Sequence, residues 1–462
     1  MDSREGVARA DTGRLVSRTV RLPDASLTGV LRTLGRPNAV WTAPEEPGVV
    51  GYGAAAQVTA DGPERFEAVR ERANDVLASP DRPADAPAVA RPRFLGGFAF
   101  HDGHAGAGPW AGFPTAAFVL PHVQVVTGTG ETWLTVNTHG PNADEATVER
   151  TLRDVTERFA PDERGAASPP GVVSTERTTS RAEWREQVTA ATERIRSGEL
   201  EKVVLAQALD VTLAESFSLP DAMARLGDTY PACFRFALRP TDGATFFGAS
   251  PERLVTRDGD ALRTGALAAT VGRGEEPDED QQLAADLRSS SKYRHEHEVV
   301  AERIREQLAG VASGIETGER RVRKLEAVQH LFTPITASSD AHVLDLVEAL
   351  HPTPAVGGLP PDAALRVIRE TETFDRGWYA APVGWFDRSG DGTFAVALRS
   401  ALADGTHVRP FAGAGIVADS DPDTEWEEVQ LKYRPVLDVF EADGGAGDAV
   451  TEDGPNGGDG DA

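Results

Sequence analysis

The chain has 462 residues, with 47 Lys plus Arg against 73 Asp plus Glu and a formal net charge of −26. A balance this negative excludes nucleic acid and anionic membrane as natural partners, since both would repel it. One cysteine, Cys233, excludes a disulfide framework and any multi-cysteine metal or iron–sulfur site within the chain.

Residues 1–13 read as a flexible start without the basic and apolar stretches of a signal peptide, so a cytoplasmic location is expected. Strand-like runs follow at 15–22, 94–100, 116–126 and 132–137, with helix-like runs at 26–34, 64–77 and 145–159. Residues 79–93 and 161–181, rich in Pro, read as long loops. The second gives the best boundary, separating a part over 14–170 from one over 171–440. Beyond it Trp184, Val188, Ala191 and Ile195 sit at helical spacing, and Gly198 stops the helix. Residues 378–386, 393–402 and 406–417 read as strands on short turns, hence antiparallel, and the whole as an α+β chain. No run approaches the ~18 apolar residues of a membrane span. The last 22 residues carry seven acids and no base and read as a disordered tail over 441–462.

Only four of the 47 basic residues are lysine, at 202, 292, 324 and 432. Acidity with scarce lysine is what a salt-rich cytoplasm selects, because carboxylates hold hydration while salt screens their repulsion. Lys202 opens a run, Lys202-Val203-Val204-Leu205-Ala206, that reads as a buried strand. There it is either a desolvated general base or a lysine snorkelling from the strand's solvent end. Glu252 ends a strand at Phe247-Gly248-Ala249-Ser250-Pro251-Glu252, which suits a catalytic acid and equally a surface glutamate paired with Arg253. The Gly-x-Ser-x-Gly spacing of a serine-nucleophile elbow is absent.

Glu296 lies four residues before Val300, which puts it on the buried face of a helix, where it needs a cation or one of the arginines. His295 and His297 are two apart and cannot share a helix face, so they form no zinc site. Glu425, Glu428 and Lys432 share one face of a later helix. They read as two magnesium-binding carboxylates with a lysine, or as a solvated face. The Gly413 and Gly415 turn offers backbone amides to a ligand carboxylate, or is an ordinary tight turn.

In order and wording these segments resemble the chorismate-utilising enzymes, which include isochorismate synthases, salicylate synthases and the component I chains of anthranilate and aminodeoxychorismate synthases. The resemblance runs from about residue 181 to 438. It rests on Lys-Val-Val-Leu-Ala at 202–206, Gly-Ala-Ser-Pro-Glu-Arg-Leu at 248–254, Arg-His-Glu-His at 294–297 and His-Pro-Thr-Pro-Ala-Val-Gly-Gly at 351–358. Phe-Asp-Arg-Gly-Trp-Tyr at 374–379, Phe-Ala-Gly-Ala-Gly-Ile-Val at 411–417 and the helix from Glu425 to Lys432 complete it. Phe-Leu-Gly-Gly-Phe-Ala-Phe at 94–100 is similar to a strand in the variable N-terminal part of the same enzymes.

The resemblance implies a single large α+β fold, two antiparallel sheets in a layered sandwich with outer helices and a cleft between them. The position near residue 170 is then a loop within one unit. Ala355, where salicylate- and anthranilate-forming enzymes usually carry threonine, and the wording of 374–379 point to the isochorismate branch. The implied reaction adds water to carbon 2 of chorismate with loss of the carbon 4 hydroxyl, with Lys202 as base and Glu252 as acid. The same resemblance assigns Mg²⁺ to Glu296, Glu425 and Glu428. It assigns the substrate to Thr270, Ala355, Tyr379, Arg399, Gly413, Gly415 and Lys432. No glutamine amidotransferase subunit is expected, and the product would feed menaquinone or siderophore synthesis. Rival readings are a salicylate synthase, an ammonia-using component I chain, or a silent chorismate-binding protein. Three positions depart from the family's wording: Ala269 replaces a common glycine, Gln207 a frequent arginine and Tyr293 a frequent aspartate.

Overall fold

The computed structural model describes residues 13–441 except 45, 84, 85, 129, 275, 326 and 327. The expected flexible start and acidic tail, apart from Gly13 and Glu441, lie outside the described residues. Two large sheets carry the described chain, one of thirteen strands and one of ten. Neighbours pair antiparallel throughout, except for a two-residue parallel bridge of Leu15 and Val16 to Pro80 and Asp81. Helices pack outside the sheets, as the expected α+β sandwich requires.

Strands from both sides of residue 170 share both sheets. In the larger sheet the Ala39–Ala43 strand pairs with Phe234–Leu238. In the smaller, Arg93–Phe98 pairs with Pro382–Asp387. The stretch read as a loop over 161–181 contains an edge strand, Val172–Arg177, which the strand beginning at Lys202 recruits as a partner.

Two runs read as single strands are each broken between the sheets. Residues 116–126 split into Ala116–Leu120 in the smaller sheet and Val123–Gly128 in the larger, because Pro121 at the break has no amide to continue the ladder. Residues 393–402 split into Gly392–Val396 and Ser400–Asp404, again one in each sheet. At that break Arg399 has φ 49°. Residues 378–381 form a turn, and the strand expected there begins only at Pro382. Sheet-crossing strands let side chains of both sheets converge on one place.

That place has a rigid aromatic floor. Phe411 on the His407–Ile416 strand lies between the Trp110 and Tyr379 rings, stacked on each at 5.4 Å between centroids. Trp110 in turn meets Phe113 and Phe246 edge-on. Gly377 (φ 53°) runs so close to the Trp110 indole that a Cβ there would fall 2.1 Å from the ring. No helix among the described residues is long and apolar enough to cross a membrane.

Candidate active site

A cleft of about 210 Å³ opens between the sheets, lined by every candidate residue named from the sequence: Lys202, Glu252, Thr270, Glu296, Ala355, Tyr379, Arg399, Gly413, Gly415, Glu425, Glu428 and Lys432. Three of the chain's four lysines, Lys202, Lys292 and Lys432, line it. The fourth, Lys324, bonds Asp280 at 2.6 Å.

Lys202 is the first residue of the Lys202–Leu213 strand, whose two flanks are the His407–Ile416 strand and the Gly358–Leu359 bridge. It is 7% exposed and its Nζ lies 3.2 Å from Glu296 Oε1, so the snorkelling reading fails. Its stem lies over Gly415, where a Cβ would sit 2.9 Å from Lys202 Cε. Gly413 does the same for Tyr379, whose hydroxyl stands 3.3 Å from the place of a Cβ. The two glycines thus serve by having no side chain, which lets a lysine and a tyrosine lie flat across one strand. Burial pushes the Tyr379 phenol up, so it remains a hydrogen-bond donor.

Glu252 stands where the chain leaves the larger sheet after Thr245–Ser250 and enters the smaller at Arg253–Asp258. It is 6% exposed, which overturns the surface-glutamate reading. Its carbonyl accepts from Val396 N, and Thr353 Oγ1 donates to its Oε1 at 3.5 Å. Burial raises its pKa to about 7, against a smaller lowering from Thr353 and the Lys202 and Lys432 charges. The result is a carboxyl that still holds its proton near neutrality, as a general acid must.

Three carboxylates form another wall. Glu296, on the Ser291–Leu308 helix, faces the cleft half-buried, and its partner is Lys202 rather than an arginine. The fully buried residue of that turn is His297, with Nε2 2.7 Å from Thr333 Oγ1, while His295 is exposed. Glu425 and Glu428 project from the Pro422–Leu437 helix, whose Asp421 caps Thr424 N. Glu425 is buried, not solvated, and its pKa is raised to about 7 by burial and then by the Glu428 charge, Glu296 adding a smaller push. Glu428 pairs with Lys432 at 2.6 Å.

Among the described residues no group of three His, Cys, Asp or Glu stands close enough to hold an ion as placed, and Lys202 and Lys432 pair with two of these carboxylates. The donor set nevertheless fits a hard divalent cation. It consists of oxygens only, and the Glu428 charge, which adds to burial in raising Glu425, is what a cation relieves.

Cations hold the far end. Arg399 is 8% exposed and has no carboxylate within ion-pair distance among the described residues, whereas Lys202, Lys292, Lys432 and Arg376 each have one. A desolvated guanidinium without a counter-charge calls for an anion from outside. Beside it His330 bonds Thr270 through Nδ1 at 3.0 Å, and its buried Nε2 has no partner among the described residues. Burial, then the charges of Arg399, Lys432 and Arg323, hold the His330 pKa well below its ordinary value, so the ring is a neutral hydrogen-bonding group.

Sequence reasoning missed His330, Thr353 and the ion pair of Glu372 with Arg376, whose side chains are 3% and 2% exposed. Arg376 Nη2 donates to Val204 O at 2.6 Å and Nη1 to Val356 O at 2.9 Å, while Glu372 accepts from Ala206 N. One buried pair therefore ties the strand of Lys202 to the loop that carries Thr353 and Ala355. Arg376 lay inside a motif quoted for resemblance, but nothing in its spacing shows that it reaches two other segments.

Ala269, Ala380 and Arg399, the three non-glycine residues with positive φ among those described, all line this cleft. At φ 60° Ala269 occupies a bulge in the pairing of Ala261–Gly272 with Val328–Ser338, which explains why glycine is at home there. Ala269→Gly is expected to stabilise the fold by about 1 kcal/mol, read as a higher urea midpoint at unchanged slope.

A family model described as chorismate binding enzyme matches residues 3–441. The isochorismate synthase MenF of Bacillus subtilis is 36% identical over 354 residues, covering 76% of this chain and 74% of that protein. The salicylate biosynthesis isochorismate synthase of Pseudomonas aeruginosa is 37% identical over 425 residues, 88% of this chain and 86% of that one. Among solved structures, MenF, the menaquinone-specific isochorismate synthase from Escherichia coli, superposes with a TM-score of 0.78 at 27% identity, covering 93% of this chain and 96% of that one. Anthranilate synthase component I from Streptococcus pneumoniae, at 20% identity and a TM-score of 0.70, covers 85% and 92% and shares the fold.

Proposed function

The chain belongs to the chorismate binding enzymes, and from that premise we infer that it is an isomerase converting chorismate to isochorismate. The observation that carries the chemistry is one cleft holding an inward lysine, a buried carboxyl whose pKa is raised to about 7, and a guanidinium with no ion pair among the described residues. Lys202 takes a proton from water as the oxygen attacks carbon 2 of the ring. The ring double bond shifts, the bond from carbon 4 to its hydroxyl breaks, and Glu252 delivers its proton so that the leaving group departs as water. Each turnover leaves an ammonium and a carboxylate, whose protons re-equilibrate with solvent.

Arg399 and the Tyr379 hydroxyl take the enolpyruvyl carboxylate, with Thr270, Lys432 and the backbone near Gly413 and Gly415 completing the anion site. Ala355 leaves room beside the ring. Glu296, Glu425 and Glu428 would hold Mg²⁺, which supplies positive charge for the ring carboxylate when bound. The nucleophile is water, so a glutamine-hydrolysing subunit is not called for. A cytoplasmic setting suits a chain of this charge.

Incubation with chorismate and Mg²⁺ is expected to give isochorismate by chromatography, and EDTA to stop it. No isochorismate would overturn the reading; pyruvate release without an added lyase would favour a salicylate synthase, and dependence on ammonia a component I chain. Arg376→Lys keeps the charge but cannot bridge Glu372, Val204 and Val356 at once. It is expected to lower kcat by about 10²-fold with KM little changed, measured by steady-state kinetics.

A further inference from the structure

Behind the active cleft lies a second cavity of about 690 Å³, open to solvent and lined by Arg65, Phe100, His351, Pro352, Leu365 and Arg369, among others. The two cavities share a wall. The loop that presents Ala355 to the cleft, and whose Thr353 bonds Glu252, presents His351 and Pro352 to the second cavity. His351 Nε2 is held 2.9 Å from Phe100 O, and the Arg376 guanidinium lies over the Phe100 ring at 4.4 Å.

Most charges in the second cavity are already matched. Arg369 bonds Asp102 at 3.2 Å, Glu370 bonds Arg194 at 2.7 Å, and Arg366 reaches Glu199 at 3.8 Å. Arg65 is different. It is 6% exposed, its guanidinium lies over the Phe66 ring, its Nε has no partner among the described residues, and its contact to Gly62 O is long at 3.4 Å. Asp102 and Glu348 act on it through space, yet neither closes an ion pair with it among the described residues. The situation is like that of Arg399 in the cleft: a desolvated guanidinium facing a cavity, with no ion pair among the described residues. Phe100, Pro352 and Leu365 give the same cavity an apolar side.

We propose that this cavity is a second ligand site, taking a small organic carboxylate whose charge meets Arg65 and whose apolar body lies against Phe100, Pro352 and Leu365. A ligand there presses on the wall that carries Thr353, the hydrogen-bond donor to Glu252.

The proposal stands apart from the reaction assigned to the cleft, because its test reads binding alone. Benzoate titrated into the full chain by calorimetry is expected to bind, and to bind undiminished when Arg399→Ala removes the anchor of the cleft. Arg65→Gln is expected to weaken that binding by at least about tenfold, through loss of a charge-assisted pair. Because Arg65 is buried, Leu365→Trp serves as a second variant, filling the cavity from its edge with the same expected loss. Absence of binding up to about 10 mM benzoate overturns the proposal. So does binding that disappears in Arg399→Ala and survives both Arg65→Gln and Leu365→Trp, since benzoate would then occupy the cleft only.

Discussion

Lys202→Ala is expected to lower kcat for isochorismate formation by about 10²- to 10⁴-fold, the range for losing a positioned general base. Chorismate should still bind, since its proposed anchors, Arg399, Tyr379 and Lys432, stand on other segments. The fold should tolerate the change, because Lys202 is a strand's first residue and its one carboxylate partner, Glu296, is half-exposed. Equilibrium binding by calorimetry together with kcat by chromatography separates the two effects. A variant that keeps full activity, or that fails to bind chorismate, contradicts the base assignment. The Gly415 contact gives the assignment a geometric reason: a Cβ there would fall 2.9 Å from Lys202 Cε, so the glycine leaves the room that the lysine stem takes.

Glu252→Gln should produce a comparable loss of kcat and an opposite effect on stability. The amide keeps the shape but has no acidic proton, so kcat falls by about 10²- to 10⁴-fold. In the unchanged enzyme kcat should fall as pH rises through about 7, because the acid works only while protonated. For stability, the folded pKa of about 7 lies above the ordinary 4.5. The neutral form is therefore fully accommodated below pH 4.5, and stability is lost as pH rises through 7. At about 1.36 kcal/mol per unit the loss is roughly 3 kcal/mol. Glutamine escapes it, so Glu252→Gln should be more stable than the parent at pH 8 and similar at pH 4. Urea denaturation of both proteins at the two pH values checks this. Glu425, also raised to about 7, is present in both and cancels in the difference. A gap between the two proteins that does not change with pH would mean that Glu252 is not the buried acid described.

Stability and activity are opposed at this one residue for a single reason. Burial makes the carboxyl hold its proton at neutral pH, which the chemistry needs, and burial is what makes its ionisation costly to the fold. Arg399 shows the same opposition in cationic form, a desolvated charge set in backbone of positive φ.

Ordered motifs made the family, the cleft residues and the α+β class legible in the chain, because each motif lies within a few residues and a strand or helix fixes its local geometry. Glu425, Glu428 and Lys432 share a face by helical period alone, and the structure keeps them together. The strand breaks at Pro121 and at 397–399 were not legible, since a continuous apolar run looks the same whether it stays in one sheet or crosses to another.

The sequence by itself determined which residue types are scarce, where lysine is spent, and which short segments carry chemistry; these are properties of composition and local period. Only the tertiary structure decided that Lys202 meets Glu296, that Glu252 is buried beside Thr353, and that Arg376 joins two segments. Protonation state and pairing depend on distance and desolvation between residues 94 to 172 positions apart, and no local pattern carries either quantity.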